Sequence, residues 1–97
     1  MKEEHKIVYT EHIRLRMKLR GIPNALPKQI WTEAKERYYD QATKHYVAVM
    51  NCEVKKRVRE FVLSYDENDD EIRLITVHPI KLLQKLSRIK TGRWKKI

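Results

Sequence analysis

Segments of β-type sequence fill the middle of the chain and set the strongest limit on its fold. Residues 45–52 are rich in Val, Tyr and Ala, and their side chains alternate between the two faces of a predicted strand. Residues 61–65 and 71–78 are two further β-type runs, and the polar residues 66–70 between them predict a hairpin. A brief strand at residues 38–39 precedes them, and the short β-type run Ile7-Val8-Tyr9 predicts a first strand ahead of the helices. A meander of three or four strands is therefore the predicted centre of the fold.

Helical segments flank this meander on both sides. Thr10 is a typical N-cap residue and Gly21 a typical helix end, which together predict a helix over residues 11–20. A second helix is predicted over residues 28–35, and apolar residues at helical spacing predict a third over residues 80–89. The order is typical of an α+β protein with helices packed on one face of a mainly antiparallel sheet. We predict a single domain over the whole chain.

Positive charge is concentrated in particular segments. The 97-residue chain has 22 Lys and Arg against 13 Asp and Glu, a net charge of +9, and 41% of its residues are hydrophobic, as expected of a folded domain. Residues 81–97 hold seven Lys or Arg and no acidic residue, whereas residues 61–80 hold one basic and five acidic residues. Positive charge concentrated at the C-terminal end of the chain favours a polyanionic partner.

Several classes of protein find no support in the sequence. No uncharged run approaches the roughly 18 apolar residues of a transmembrane helix. The first residues lack the apolar stretch of a signal peptide, so we expect a cytoplasmic protein without a membrane partner. Cys52 is the single cysteine, which excludes an intramolecular disulfide. The two glycines are too few for a phosphate-binding loop and the histidines lack metal-ligand spacing, so we expect neither a cofactor nor a metal.

The first predicted helix carries a line of basic residues. His12, Arg16 and Arg20 are four residues apart and share a face, and that face borders the apolar residues Ile13 and Met17. Two interpretations are open. Either the arginines snorkel at the rim of a core and pair with acidic residues, or they form a row of anion-binding donors at the edge of a cleft.

A second basic cluster lies within residues 53–60, where a turn is expected at a position that the pattern does not define. Lys55, Lys56, Arg57 and Arg59 suit phosphate oxygens, the arginines in bidentate fashion. A solvated hairpin turn also explains these residues. The tyrosines on the strands have two interpretations as well, because they either stack on bases or belong to the core.

His78 ends the last strong strand, on the face predicted for Ile72 and Leu74. Its ordinary pKa, near 6.5, suits proton exchange at neutral pH. A hydrogen-bonded structural histidine is the alternative interpretation.

Two stretches of the chain resemble a known family. The first-helix signature of small BrnT-like proteins, in the RelE/ParE toxin superfamily, resembles the pattern His12-x-x-x-Arg16-x-x-x-Arg20-Gly21-Ile22. The C-terminal half is similar to uncharacterised domains close to that superfamily, through residues 75–80 and the segment Gly92-Arg93-Trp94.

The resemblance implies a fold, an activity and partners. The implied fold is two N-terminal helices packed on a curved antiparallel sheet of about four strands, with a C-terminal helix or basic tail. The implied activity is RNA cleavage, frequently on the ribosome, by the toxin of a type II toxin–antitoxin system, and the implied partner is a cognate antitoxin protein. Other members of the superfamily inhibit gyrase, so the fold alone does not define the target.

We therefore predict an RNA-directed endoribonuclease of the toxin type, in which the 2′-hydroxyl attacks the adjacent phosphate. Such a reaction needs a base, an acid and cationic stabilisation of the phosphorane. The predicted catalytic residues are His12, Arg16, Arg73 and His78. The predicted nucleic-acid-binding residues are Arg20, Lys55, Lys56, Arg57, Arg59, Lys81, Arg88, Arg93 and Trp94. The alternatives are a non-catalytic basic module that binds nucleic acid or the ribosome, and a toxin with a protein target such as gyrase; a homodimer is left open.

Overall fold

The computed structural model describes residues 6–97. Residues 1–5, on which the expectation of no signal peptide is partly based, lie outside the described residues. The helices are α1 (Glu11–Arg20), α2 (Leu26–Glu33) and α3 (Leu82–Lys90). The strands are β1 (Lys6–Tyr9), β2 (Glu36–Asp40), β3 (His45–Val54), β4 (Arg57–Glu67), β5 (Glu71–Pro79) and β6 (Trp94–Lys96). No helix in the described part of the chain is long and apolar enough to cross a membrane.

The strands form one mixed sheet of six strands in the order β1-β5-β4-β3-β2-β6. β1 pairs with β5 in parallel, and the other neighbouring strands of residues 6–97 pair antiparallel. The prediction of an antiparallel sheet of about four strands is therefore wrong. The strand predicted at residues 7–9 is present, but it pairs in parallel with β5, and β6, which was not predicted, adds an antiparallel partner to β2.

Helices pack on both faces of the sheet, and each face has its own core. On the first face, Ile13 of α1 and Ile30 of α2 are fully buried against residues such as Leu63. On the second face, Ile89 of α3 packs against a smaller core that includes Trp94. The prediction that the helices cover one face is wrong, because α3 packs on the face opposite α1 and α2 and forms a third layer.

The bounds predicted for α1 are confirmed. The Thr10 hydroxyl accepts a hydrogen bond from the backbone N–H of Ile13 at 3.2 Å, which satisfies one of the free donors of the first turn. Gly21 ends the helix in the left-handed region with φ of 66°, and its N–H bonds the Met17 carbonyl. α1 then runs beside β5, so the end of the helix lies near the end of that strand.

Lys85 attaches α3 to the second face. Its ammonium nitrogen is 2.6 Å from a Glu60 carboxylate oxygen and 3.1 Å from one of Glu36, and the lysine side chain is only 12% exposed. This arrangement also neutralises Glu60, the carboxylate at the base of the β3–β4 hairpin.

The β3–β4 hairpin extends beyond the other strands. The pair of Phe61 with Pro79 is the last between β4 and β5, so residues 51–60 form a two-stranded segment, which we call the ribbon. Most of its side chains are exposed. At its tip, Lys55 and Lys56 have φ of 55° and 66°. Two successive positive φ values are typical of a type I′ turn, which Asn-Gly usually forms.

An irregular pairing between β4 and β5 moves His78 to the second face. Ile75 has no partner in β4, because the register shifts by one residue at this point. Leu74 therefore lies in the first core, while His78 is paired with Val62, a member of the second core. The predicted placement of His78 on the face of Leu74 is wrong, since one extra residue reverses the alternation of a strand.

Candidate nucleic-acid interface

A cleft of about 410 Å³ lies between the ribbon and the C-terminal end of α1. Buried and half-buried apolar side chains form its floor, and these are Ile22, Val54, Phe61 and Pro79. Exposed basic side chains form its rim, and these are Arg20, Lys55, Arg57 and Arg59. The cleft thus presents an apolar surface between two groups of cations, one from the helix and one from the ribbon.

Strand pairing places both ribbon arginines on the cleft side. Arg57 pairs with Val54, and Arg59 pairs with Cys52, a buried residue of the first core. Paired residues share a face of the sheet, and so do residues two apart in a strand. Phe61 follows Arg59 by two residues and is 3% exposed, so the arginines lie directly beside the aromatic part of the floor.

Lys55 closes one side of the cleft against α1. A Cβ atom placed on Gly21 would lie 2.5 Å from the Lys55 ammonium nitrogen, so this nitrogen sits close above the helix end. The free carbonyls at a helix C-terminus carry partial negative charge and attract a cation. The Lys55 ammonium therefore lies at the rim of the cleft, beside the end of α1.

Arg20 connects the cleft to β5. Its Nη1 donates a hydrogen bond to the carbonyl oxygen of Val77 at 3.0 Å, which orients the guanidinium. Within residues 6–97, neither Arg20 nor the other three rim cations forms an ion pair with a carboxylate. Among residues 6–97, the interpretation in which Arg20 pairs with an acidic residue finds no support.

His78 lies behind the cleft on the second face. Its Nδ1 is 2.9 Å from the Pro79 carbonyl oxygen, which only accepts hydrogen bonds, so Nδ1 carries the proton and Nε2 is the acceptor. Burial lowers the pKa of His78 below 6.5, and the positive charges of Arg20, Arg88 and Arg16 lower it further. The imidazole is therefore uncharged at neutral pH, as a proton acceptor must be.

Arg16 acts on two other predicted catalytic residues, His12 and His78. Arg16 donates from Nε to Nε2 of His12 at 3.3 Å, and its charge also acts on His78. Arg73 is not part of this group. It is five residues from His78 along β5, roughly 16 Å away, and its guanidinium is 3.4 Å from a carboxylate oxygen of Glu71.

Arg93 and Trp94 hold the C-terminal strand in place. Arg93 donates from Nε and Nη2 to the two carboxylate oxygens of Asp40, at 3.0 and 3.1 Å. Trp94 donates from its indole nitrogen to Asp40 at 3.3 Å and is 2% exposed, so its ring is not presented to a base. Burial alone would raise the pKa of Asp40, but the hydrogen bonds from Arg93 and from the Ala42 N–H lower it to about 2.

The remaining predicted binding residues lie apart from the cleft. Arg88 sits over the indole ring of Trp94, 5.4 Å from the ring centre. Lys56 is exposed at the ribbon tip and Lys81 is exposed just before α3, and neither lines the cleft.

Sequence reasoning missed the apolar floor of the cleft. Val54 and Phe61 can be placed beside Arg57 and Arg59 only from the register of the hairpin. That register depends on a two-residue turn. That turn is formed by two lysines, so the usual Asn-Gly or Asp-Gly signal is absent. In the sequence, only the run of basic residues indicated this site.

The described residues contain no group of three or more His, Cys, Asp or Glu side chains that could hold a metal ion. Fold and cleft together define a small α+β protein with a mixed sheet and a cationic cleft. No protein-family model matches the chain, and searches of the curated proteins and of the solved structures give no significant match. The resemblance to BrnT-like toxins thus stays a prediction.

Proposed function

We propose that this protein binds RNA through the cationic cleft. The observation that carries the proposal is the rim of four cations, none of which has a carboxylate partner among residues 6–97, around an apolar floor. Guanidinium and ammonium groups bind phosphate oxygens, and apolar surface binds the faces of bases. Charges that serve only to keep a protein in solution need no shared apolar floor.

The distribution of charge along β4 supports the same proposal. The strand begins at Arg57 in the ribbon and runs for 11 residues to Glu67, next to the acidic turn. At about 3.3 Å per residue its ends are roughly 35 Å apart. A molecule with cations at one end and carboxylates at the other attracts a polyanion to the cationic end.

RNA cleavage is a second candidate function, favoured by the uncharged imidazole of His78. Nε2 of His78 would take the proton of a 2′-hydroxyl while its oxygen attacks the adjacent phosphorus. The bond from phosphorus to the 5′ oxygen breaks, and water or a general acid returns a proton to that oxygen. Arg16 and Arg20 would offset the added negative charge of the phosphorane.

The toxin role implied by the family resemblance is the biological setting that we propose for this second candidate. In that setting a cognate antitoxin protein is the partner, and the ribosome is one place of action. A toxin with a protein target such as gyrase would arrest growth without cleaving RNA, which separates it from the nuclease.

Binding is tested by fluorescence anisotropy with a labelled RNA and the full chain. We expect the double variant Arg57→Gln/Arg59→Gln to lose most of the affinity. The control, Arg73→Gln, removes a positive charge far from the cleft and is expected to bind almost normally. Because the control removes one charge and the double variant two, a loss of log affinity half as large in the control would show that net charge alone, and not the cleft, carries binding.

Cleavage is tested by incubating the protein with total RNA and with translating ribosomes, beside a growth assay on expression. We expect His78→Gln to abolish cleavage while it preserves RNA binding. Absence of cleavage in both incubations, together with normal growth, would reject the nuclease and leave the binding proposal standing.

A further inference from the structure

We propose that the cleft holds one unpaired base of a single-stranded RNA, with the base on the apolar floor and its flanking phosphates on the rim. This inference rests on the proposed RNA binding and adds the form of RNA that the site accepts. It concerns recognition only and applies whether or not the RNA is cleaved.

The size of the cleft fits a small ligand. Its volume of about 410 Å³ lies within the range of small-molecule pockets, roughly 300–1,000 Å³. The two walls are close together, because Lys55 reaches the end of α1 at Gly21. A nucleotide unit fits a space of this size, whereas the stacked pairs of a duplex do not enter it.

The placement of charge fits a nucleotide better than a phosphate alone. Arg20 lies on the helix wall, while Arg57 and Arg59 lie on the ribbon wall, so cations stand on both sides of the floor. A chain that crosses the cleft meets a cation before and after the floor. A base between those phosphates covers Val54 and Pro79, the half-buried members of the floor, and removes their remaining exposed surface from water, which a lone phosphate cannot do.

Single strands expose the surface that such a floor requires. In an RNA duplex the base faces are stacked, and the deep major groove does not admit side chains. In an unpaired strand the faces are free to contact apolar and aromatic groups, largely independently of sequence. The cleft therefore selects unpaired RNA of varied sequence.

The test uses a short RNA strand in which every nucleotide but one is abasic, compared with the fully abasic strand of the same length. Both strands carry the same phosphates, so their difference reports the single base. We expect the one base to raise affinity by about tenfold. Replacing that base with 2-aminopurine gives a second readout, since its emission changes on leaving water.

Two tryptophan variants locate the effect. Val54→Trp fills the cleft from the ribbon without changing charge, and we expect it to abolish the gain from the base. Val58→Trp is the matched control, because Val58 is in the same ribbon, 68% exposed, and paired with Glu53 on the opposite face. We expect it to retain the gain.

The outcomes separate this inference from the function on which it rests. If the two strands bind wild-type protein equally and 2-aminopurine emission is unchanged, the inference is wrong while RNA binding stands. If the gain from the base persists in Val54→Trp, the base binds elsewhere and the inference is also wrong. If no RNA binds at all, both proposals are rejected.

Discussion

Arg93 donates two hydrogen bonds to the carboxylate of Asp40, of 3.0 and 3.1 Å, and so joins β6 to β2 through side chains as well as backbone. The carboxylate is 3% exposed and also accepts from the Ala42 N–H and the Trp94 indole. Buried carboxylates cost free energy unless they are paired, and here the donors of Arg93, Ala42 and Trp94 satisfy both oxygens. Asp40 therefore anchors β6, while Glu36 and Glu60 hold Lys85 of α3.

Substitution of Asp40 should destabilise the whole domain. We expect Asp40→Asn to lower the free energy of unfolding by about 2 kcal/mol, because the charge-assisted bonds to Arg93 are lost. Urea unfolding followed by circular dichroism measures this change. Asp66→Asn is the control, since Asp66 pairs with His45 at the surface and its side chain is 44% exposed. A similar loss in both variants would contradict the special role of Asp40.

The lowered pKa of Asp40 also predicts how the stability of the fold depends on pH. Its pKa is about 2 in the folded protein against 3.8 ordinarily, so the ionised group stabilises the fold above about pH 4. That contribution is lost as the pH falls from about 4 towards 2. Unfolding midpoints measured across this window should fall in wild type and change less in Asp40→Asn. Parallel curves for the two proteins would count against the assignment.

Gly21 and Gly92 both have positive φ and form a matched pair for testing the contact between Lys55 of the ribbon and the end of α1. Gly21→Ala and Gly92→Ala should each cost about 1 kcal/mol, because both residues adopt a left-handed backbone. Only Gly21→Ala places a methyl group against Lys55, whereas the nearest atom at Gly92 is 3.9 Å away. We expect RNA affinity to fall in Gly21→Ala and to stay unchanged in Gly92→Ala. Equal affinities in the two variants would show that the Lys55 contact does not shape the cleft.

The pKa of His78 should respond to its arginine neighbours. The folded-state pKa lies below 6.5, so the protein loses stability as the pH falls below that value and the unfolded chain gains the proton more readily. NMR titration of the imidazole should show that Arg88→Gln raises this pKa, because one repulsive charge is removed. Lys90→Gln serves as control, since Lys90 is not among the charges that act on His78. An unchanged midpoint in Arg88→Gln would be inconsistent with repulsion between the two residues.

The salt dependence of RNA affinity should report how many phosphates the cleft contacts. For single-stranded RNA, each contact adds about 0.7 to the slope of log affinity against log salt concentration. We expect Arg59→Gln to reduce the slope by about that amount, measured by anisotropy at several salt concentrations. Lys81→Gln removes an exposed charge outside the cleft and should leave the slope almost unchanged. A larger reduction in Lys81→Gln would place the phosphate path along α3 instead.

The local parts of the fold could be predicted from the sequence because they depend on neighbouring residues. The hydroxyl at Thr10 and the glycine at position 21 define both ends of α1, and the helical spacing of His12, Arg16 and Arg20 places the basic line on one side of it. The pairing of β4 with β5 across the acidic turn followed from the same kind of local signal.

The rest of the sheet depends on pairings between distant residues. Lys6–Tyr9 lies beside Glu71–Leu74, far along the chain, and nothing in four residues of sequence states that this pairing is parallel. Trp94–Lys96 is a strand only because Tyr38 and Asp40 offer it a partner. Ile75 has no partner in β4. The residues after it in β5, including His78, therefore face the side of the sheet opposite to the one that strict alternation predicts.

The covering of β5 has a consequence for association between copies of this protein. β1 pairs only with the first residues of β5, up to Leu74, which leaves the later carbonyl groups without a strand beside them. Two side chains at the ends of α1 occupy that position: the hydroxyl of the N-cap Thr10 lies 3.0 Å from the Leu74 oxygen, and Arg20 donates to the oxygen of Val77. Unpaired strand edges recruit further strands and lead to aggregation. Arg20, at the rim of the cleft, thus also helps to keep the sheet from growing into a neighbouring molecule.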